Sequence, residues 1–377
     1  MARGKLMVRL AIFVAFAAVF SLVQLDQQAR LSGRMAILLP TGLGGYADAR
    51  TSAANFAREP LSAEDSITAL LKYRPIEARH LSLYSLWAAE ADLMDSAGKA
   101  LNYAATRGWR DPFVQIAVLA SAVSSNEPDV AAARLEALTR TEREPQVIFR
   151  AIDVLSTDEA GREAIASRLA DSPYLADQLV DYAEARPGQE TLPLQLFAME
   201  GAGSALDCER KLRLATTYLK RGMGEVKSLI SDECEAMKDP GLQFHPFSDV
   251  NGPLAWTFPS VAGVSVREGM AEGMLTYNNR NLLRKLIAFR YLTLSPGSHE
   301  LTIVEHDSSR RPLASGTKGE IELRITCPEG LDTDRRLVLR QPGYGIASFD
   351  VPEDCPVQHI RLFAARGRGE NISLTIN

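Results

Sequence analysis

The apolar residues of this chain keep one rhythm up to Asp239-Pro240-Gly241 and another after it. Before that point they recur at helical spacing, with Ala and Leu dominant. After it they alternate with polar residues. A period near 3.6 lines one stripe of a helix, whereas a period of 2 lines one face of a strand, so no single architecture serves both halves. The chain has 377 residues, and domains commonly run about 100–200. A multidomain protein follows, part α and part β.

The helical part is predicted over 59–240. Ser62 with Asp65 reads as a variant capping box ahead of Ile67, Leu70 and Leu71. Pro75 opens a second helix carrying Leu81, Tyr84 and Trp87, and Ala97 to Arg107 forms a third that stops at Gly108. Pro112, Pro128 and Pro145 each stand at the start of another, as proline does at a first helical turn. Short links between helices of this length predict stacked antiparallel pairs. Glu144-Pro145 follows Asp111-Pro112 at close to the ~34 residues of a helix–turn–helix repeat. The expectation is a degenerate, tetratricopeptide-like α-solenoid. The Trp/Gly/Tyr consensus of that repeat is not reproduced, and an irregular bundle is the alternative.

The β part is predicted over 241–377. Nine segments alternate: 263–267, 273–277, 286–294, 299–305, 320–327, 335–341, 345–350, 358–364 and 371–376. Strands at this spacing, separated by turn residues, predict an antiparallel β-sandwich or jelly roll.

An apolar run from Leu10 to Leu25 follows Arg3, Lys5 and Arg9. It is about 16 residues long, near the roughly 17–25 that a spanning helix needs. An uncleaved anchor is favoured over a cleaved signal peptide, because apolar residues continue through Phe20, Leu22 and Val23 past the small pair Ala15 and Ala17. Residues 1–25 are thus expected to form a cytoplasmic tip and transmembrane anchor. Basic residues before the run place the body outside the cytoplasm. Residues 26–58, punctuated by Pro40, Gly42, Gly44 and Gly45, read as an extended linker.

Outside the cytoplasm the four cysteines become candidates for disulfides. Cys208 and Cys234 fall in the helical part, Cys327 and Cys355 in the β part. One pair per part favours two internal bridges. A zinc site or a redox pair would need closer spacing.

The net charge of −5 argues against a nucleic-acid binder. The histidines His80, His245, His299, His306 and His359 contain no metal-binding spacing on a helix. Neither a Gly-x-Ser-x-Gly elbow nor a Walker loop occurs. Glu300, Glu305, Glu320 and Glu322 read as solvent-facing alternation rather than as hydrolytic carboxylates. The expectation is a chain that is not an enzyme and holds neither metal nor cofactor. Arg284-Lys285, Arg290, Arg310-Arg311, Arg335-Arg336 and Arg340 could face an acidic glycan or merely solvent, and Arg366-Gly-Arg368-Gly reads as a tight turn with exposed cations. Trp256, Tyr277, Tyr291 and Tyr344 are candidate sugar-stacking rings, with Arg290 beside them, although a buried sandwich aromatic is the better reading of Trp256.

Cys327, the run Ser348-Phe349-Asp350-Val351-Pro352-Glu353-Asp354-Cys355-Pro356-Val357-Gln358-His359-Ile360-Arg361-Leu362, the lead-in Leu254-Ala255-Trp256 and the stretch from Tyr291 to Gly297 resemble the C-terminal module of a group of envelope proteins from sphingomonad-type bacteria. In that group a membrane anchor precedes a tetratricopeptide-like region and a jelly-roll domain similar to carbohydrate-binding modules. The resemblance implies an inner-membrane, periplasm-facing scaffold of exopolysaccharide biosynthesis or export with polysaccharide-assembly proteins as partners, to which the basic residues of the β part add an acidic glycan as a candidate partner. In the motif itself, Phe349 and Val351 should point inward, Pro352 should end the strand, and Gln358 should satisfy backbone groups nearby. A purely protein–protein adaptor with a structural sandwich is the alternative.

Overall fold

In a computed structural model the chain is described except at residues 1, 30–35, 37–38, 41, 43, 109, 143, 231–232, 240, 246–251, 307–320, 329–336 and 343–344. It divides into two compact units, Met1–Gln178 and Leu179–Asn377. The change from helix to strand near residue 241 falls inside the second.

The first unit opens with helix α1 (Ala2–Ala29). Within it Leu10–Ala29 has a mean hydropathy of 1.8 and is long and apolar enough to cross a membrane. Its large side chains, Phe13, Phe16 and Phe20 among them, are exposed. Residues 46–58, expected to be extended linker, instead form helix α2 (Tyr46–Arg58). Glycine and proline stop at Gly45, and Ala49, Ala53 and Phe56 beyond it pack with Ile67, Leu70, Leu83 and Trp87. The corner between α1 and α2 is capped from both sides. Asp26 accepts the Ala47 N–H at 3.0 Å, and Arg50 Nε donates to the Ala29 carbonyl at 2.6 Å. Each bond satisfies a helix-end group that has no partner within its own helix.

Then follow α3 (Glu64–Tyr73), α4 (Ala78–Glu90), α5 (Met94–Arg107), α6 (Pro112–Ser124), α7 (Pro128–Thr141), α8 (Pro145–Leu155), α9 (Glu159–Leu169) and α10 (Pro173–Ala185). The expected prolines do open α6, α7 and α8, and the Asp111 carboxylate caps α6 by accepting from Phe113 N–H at 3.0 Å. Ser62 forms no capping box. It lies in a 3-10 turn, and its hydroxyl donates to the Glu59 carbonyl. Helices α4, α6 and α8 begin at residues 78, 112 and 145, close to the step of a helix-pair repeat.

The α4–α5 and α6–α7 turns are built alike. Asp92 and Asn126 adopt φ of 59° and 57°. The N–H after each, on Leu93 and Glu127, reaches back to Ala88 and Ala122, both at 2.8 Å. This is a Schellman closure, with a residue type that tolerates the left-handed conformation. The helix pair is therefore repeated in backbone detail over these two turns.

His80 on α4 is fully buried, and burial holds its imidazole below the ordinary value of 6.5. The folded unit keeps the ring neutral, while the unfolded chain takes up a proton. Stability from this group is full above pH 6.5 and falls as pH drops below it, by at most about 1.4 kcal/mol per pH unit. The melting temperature of the first unit should thus decline from pH 7.5 to 5.5, and His80→Gln should flatten that decline. An unchanged slope in the variant would assign the acid sensitivity elsewhere.

In the second unit α11 (Thr191–Phe197) and α12 (Cys208–Arg221) precede nine strands. These are β1 (Val264–Glu268), β2 (Leu275–Asn279), β3 (Lys285–Leu292), β4 (Gly297–Glu305), β5 (Ile321–Thr326), β6 (Leu337–Pro342), β7 (Gly345–Val351), β8 (Gln358–Ala364) and β9 (Gly367–Ile376). One sheet has the order β1-β2-β9-β4-β7 and the other β3-β8-β5-β6, with every pairing antiparallel. Leu275, Leu301, Phe349 and Ile372 of the first sheet share a core with Ile287, Leu323, Ile360 and Leu362 of the second. This is a two-sheet antiparallel sandwich.

Both expected disulfides, Cys208–Cys234 and Cys327–Cys355, are formed. β7 ends at Val351, before Pro352, with Phe349 and Val351 buried. The buried Gln358 accepts the Leu294 N–H at 2.8 Å and donates to the Cys355 carbonyl.

Candidate functional site

The sheet holding β1, β2 and β9 builds a polar cradle. Val264 and Val266 pack toward the core, so strand alternation turns Ser265 and Arg267 the other way. The register brings Ser265 opposite Asn278, Asn278 opposite Arg368, and Arg267 opposite Thr276. Together with the edge of Tyr277 these side chains line a cavity of about 220 Å³. Gly369 faces Tyr277 across the pair, and a Cβ there would collide with the ring. The missing side chain leaves room for the tyrosine.

Arg368 Nε meets Glu370 Oε1 at 2.7 Å, with both side chains about half exposed. Arg267 is exposed and has no ion-pair partner among the described residues. Thr276 Oγ1 accepts the Asn371 N–H at 3.2 Å. Two guanidinium groups, an amide and two hydroxyls can bind a carboxylate among hydroxyls, since arginine presents a fork that matches the carboxylate plane.

The residues singled out in the sequence scatter. Trp256 is a core residue: its indole N–H donates to the Leu242 carbonyl at 3.2 Å and its ring packs on Phe244 with centroids 4.7 Å apart. Arg290 is the largest fully buried side chain among the described residues. Its guanidinium donates to Asp239 at 2.8 Å and to the Gly241 carbonyl, and lies 5.7 Å from the Trp256 ring centre. Neither can stack on or pair with a ligand in this fold. Tyr277 is buried and meets the cavity only at its edge. Tyr291 points out of the other sheet, stacked on His359 at 4.8 Å, and burial raises its phenol pKa. Tyr344, Arg310, Arg311, Arg335, Arg336 and Glu320 lie outside the described residues.

Two carboxylates expected to face solvent are buried. Glu322 is held by Arg284 and by Arg324 at 2.6 Å, and Glu305 accepts the Glu370 N–H at 2.8 Å. They sit on different sheets. Among the described residues no group of three or more side chains that could hold a metal ion comes together.

Ser265, Arg267, Thr276 and Asn278 were not singled out in the sequence, because each is an ordinary outward strand residue. Of the lining residues, Tyr277 was singled out in the sequence as a candidate ring and Arg368 as an exposed cation beside a turn. A second cavity, about 240 Å³ between α2 and α3, is lined by Thr51, Asn55, Leu70 and Tyr73. Its one charged lining group, Asp48, already accepts from the Gly42 and Gly44 N–H groups.

No protein-family model matches the chain, and no curated protein matches it. A solved structure described as "CBM4 structure and function" is similar to it over 34% of this chain and 90% of that chain, at 12% identity and a TM-score of 0.25.

Proposed function

We propose that this chain is a non-catalytic, membrane-anchored scaffold of the bacterial envelope whose sandwich binds an acidic saccharide in the Arg267–Arg368 cradle. The observation that carries the reading is the cradle itself, with two cations and the polar side chains of Ser265, Thr276 and Asn278 on one sheet face. Uronate-type sugars offer the carboxylate and hydroxyls that such a lining recognises. Helix α1 would serve as the inner-membrane anchor, and the two disulfides support an oxidising, periplasmic setting for the body. The α4–α9 hairpins would form a short α-solenoid presenting a surface to polysaccharide-assembly proteins. The sequence resemblance to exopolysaccharide-associated envelope proteins supports the same setting.

A second reading makes the chain a protein–protein adaptor with a structural sandwich. The matched turns at Asp92 and Asn126 favour it, because repeated helix pairs commonly carry protein interfaces.

Calorimetric titration of the full chain in detergent with a uronate-rich polysaccharide and a neutral glucan separates the two. Saturable binding to the acidic polymer is expected. It should weaken at least about tenfold in Arg267→Ser/Arg368→Ser, since a hydrogen bond to a charged group is worth about 1.5–3 kcal/mol. Equal affinity in the double variant, or no binding by the wild type, would leave the adaptor reading.

A further inference from the structure

The two most exposed large apolar side chains of the described residues outside α1 stand next to each other. Leu282 is 81% and Leu283 71% exposed, at the tip of the β2–β3 connection. The tip is not loose. Buried Asn279 donates from Nδ2 to the Leu283 carbonyl at 3.2 Å and to the Ala364 carbonyl at 2.9 Å. Its Oδ1 accepts the Asn281 N–H at 2.9 Å, and the Asn281 amide donates to the Ala262 carbonyl at 2.9 Å. The Arg280 N–H donates to the Gly263 carbonyl at 2.9 Å. Three chain segments, 262–263, 279–283 and the end of β8 at Ala364, thus fix a turn that holds two leucines in solvent.

Cations surround it. Asn279 pairs with Gly367 and Lys285 with Ala364, so the β8–β9 turn lies beside the leucines. Segments 279–285 and 364–368 contain Arg280, Arg284, Lys285, Arg366 and Arg368 and no acidic residue. Among these, Arg284 pairs with Glu322 and Arg368 with Glu370, while Arg280 and Arg366 are exposed.

We infer that this end of the sandwich docks on an anionic phospholipid surface, with Leu282 and Leu283 entering the headgroup–acyl boundary and Arg280, Lys285 and Arg366 meeting lipid phosphates. Hydrocarbon takes up leucine, and anionic lipid attracts the basic rim. A polysaccharide matches the cations but has no use for the leucines. The attachment uses Leu282, Leu283, Arg280, Lys285 and Arg366, none of which lines the saccharide cradle, and it does not rest on saccharide binding.

The test uses the full chain with α1 enclosed in a phosphatidylcholine nanodisc, mixed with large vesicles of phosphatidylglycerol and phosphatidylcholine or of phosphatidylcholine alone, and read by flotation. Nanodiscs carrying the wild type should float with the anionic vesicles and not with the neutral ones. Leu282→Ser/Leu283→Ser should lose at least about 30-fold in partitioning, from the transfer of two leucines. Arg280→Ala should lose about fivefold, as one cation near an anionic surface does. Both sets of side chains are exposed, so melting should be unchanged. Arg267→Ser should float like the wild type. Equal flotation by the leucine variant and wild type, or none by wild type, overturns the inference. Self-association of the wild type that the leucine variant abolishes, without vesicle binding, also overturns it and gives the tip to a second copy of the chain.

Discussion

Arg290→Ala is expected to destabilise the second unit by about 3–5 kcal/mol, the cost of emptying a large core site and stripping its polar partners. Arg290 is 1% exposed. It ties Asp239, at the end of the helical segment, to β3, and it also donates to the Gly241 carbonyl and to the Tyr291 carbonyl at 3.3 Å. Burial lowers its pKa, opposed by the charge of Asp239. A charge held this way is not free stability, because desolvation offsets much of the attraction. A comparison of two variants therefore carries the argument. Arg290→Met fills most of the volume without a charge and should cost less than half as much as alanine, chiefly for the Gly241 carbonyl left unpaired. Urea denaturation of the full chain, following the transition of the second unit, measures both. Equal losses in the two variants would show that the hydrogen bonds dominate. A loss below about 1 kcal/mol for alanine would refute the core role altogether. The variant also guards against a misreading: lost saccharide binding in Arg290→Ala would report an unfolded sandwich rather than a missing contact.

Why the sequence pointed to Arg290 as a surface group is a matter of one inserted residue. Tyr291 and Arg290 are both outward candidates in the sequence, although neighbours on a regular strand face opposite ways and counting inward from Ile287 puts Arg290 outside and Tyr291 inside. The register with β8 shifts between Leu286 and Ala288, so both Ile287 and Ala288 are buried. From there on, Ala288, Arg290 and Leu292 face the core while Phe289 and Tyr291 face out. A bulge exchanges the two faces of a strand and leaves little trace in composition. Alternation located the strands but also set Glu305 and Glu322 outside, although the fold buries both. All nine strand segments lie within a few residues of the predicted ones, and the role of Gln358 was legible because a buried amide must find backbone partners. The helix starts at Pro112, Pro128 and Pro145 were equally legible from proline's fixed φ. The cradle was not, because it exists only through register. Ser265, Asn278 and Arg368 are far apart in sequence and meet solely because β1 pairs β2 and β2 pairs β9. The repeated turn was within reach: Asp92 and Asn126 stand one helix pair apart, and both residue types accept a left-handed backbone.

Reduction should act on one unit and spare the other. Cys208–Cys234 and Cys327–Cys355 both lie in Leu179–Asn377 and span 26 and 28 residues. In the chain-entropy treatment a loop of that size stabilises by about 3 kcal/mol, mainly by restricting the unfolded chain. For a unit of about this length, 1 kcal/mol moves the midpoint by roughly 2–4 °C, so each bridge is worth about 6–12 °C. Scanning calorimetry of the full chain in detergent with and without a phosphine reductant should show one transition falling by that amount or more and the other unmoved. The serine variants then divide the effect. Cys327→Ser/Cys355→Ser unties the end of β5 from the β7–β8 connection and should lower the same transition. Cys208→Ser/Cys234→Ser frees the segment after α12 and should lower it too, because that segment belongs to the same compact unit as the strands. Should the second variant instead produce a third transition, residues 179–240 would melt apart from the sandwich, and the Asp239–Arg290 tie would be too weak to couple them. A single shared drop means that the last helices and the strands fold as one body, and that the oxidising compartment suggested by the apolar N-terminal helix is a condition of its stability.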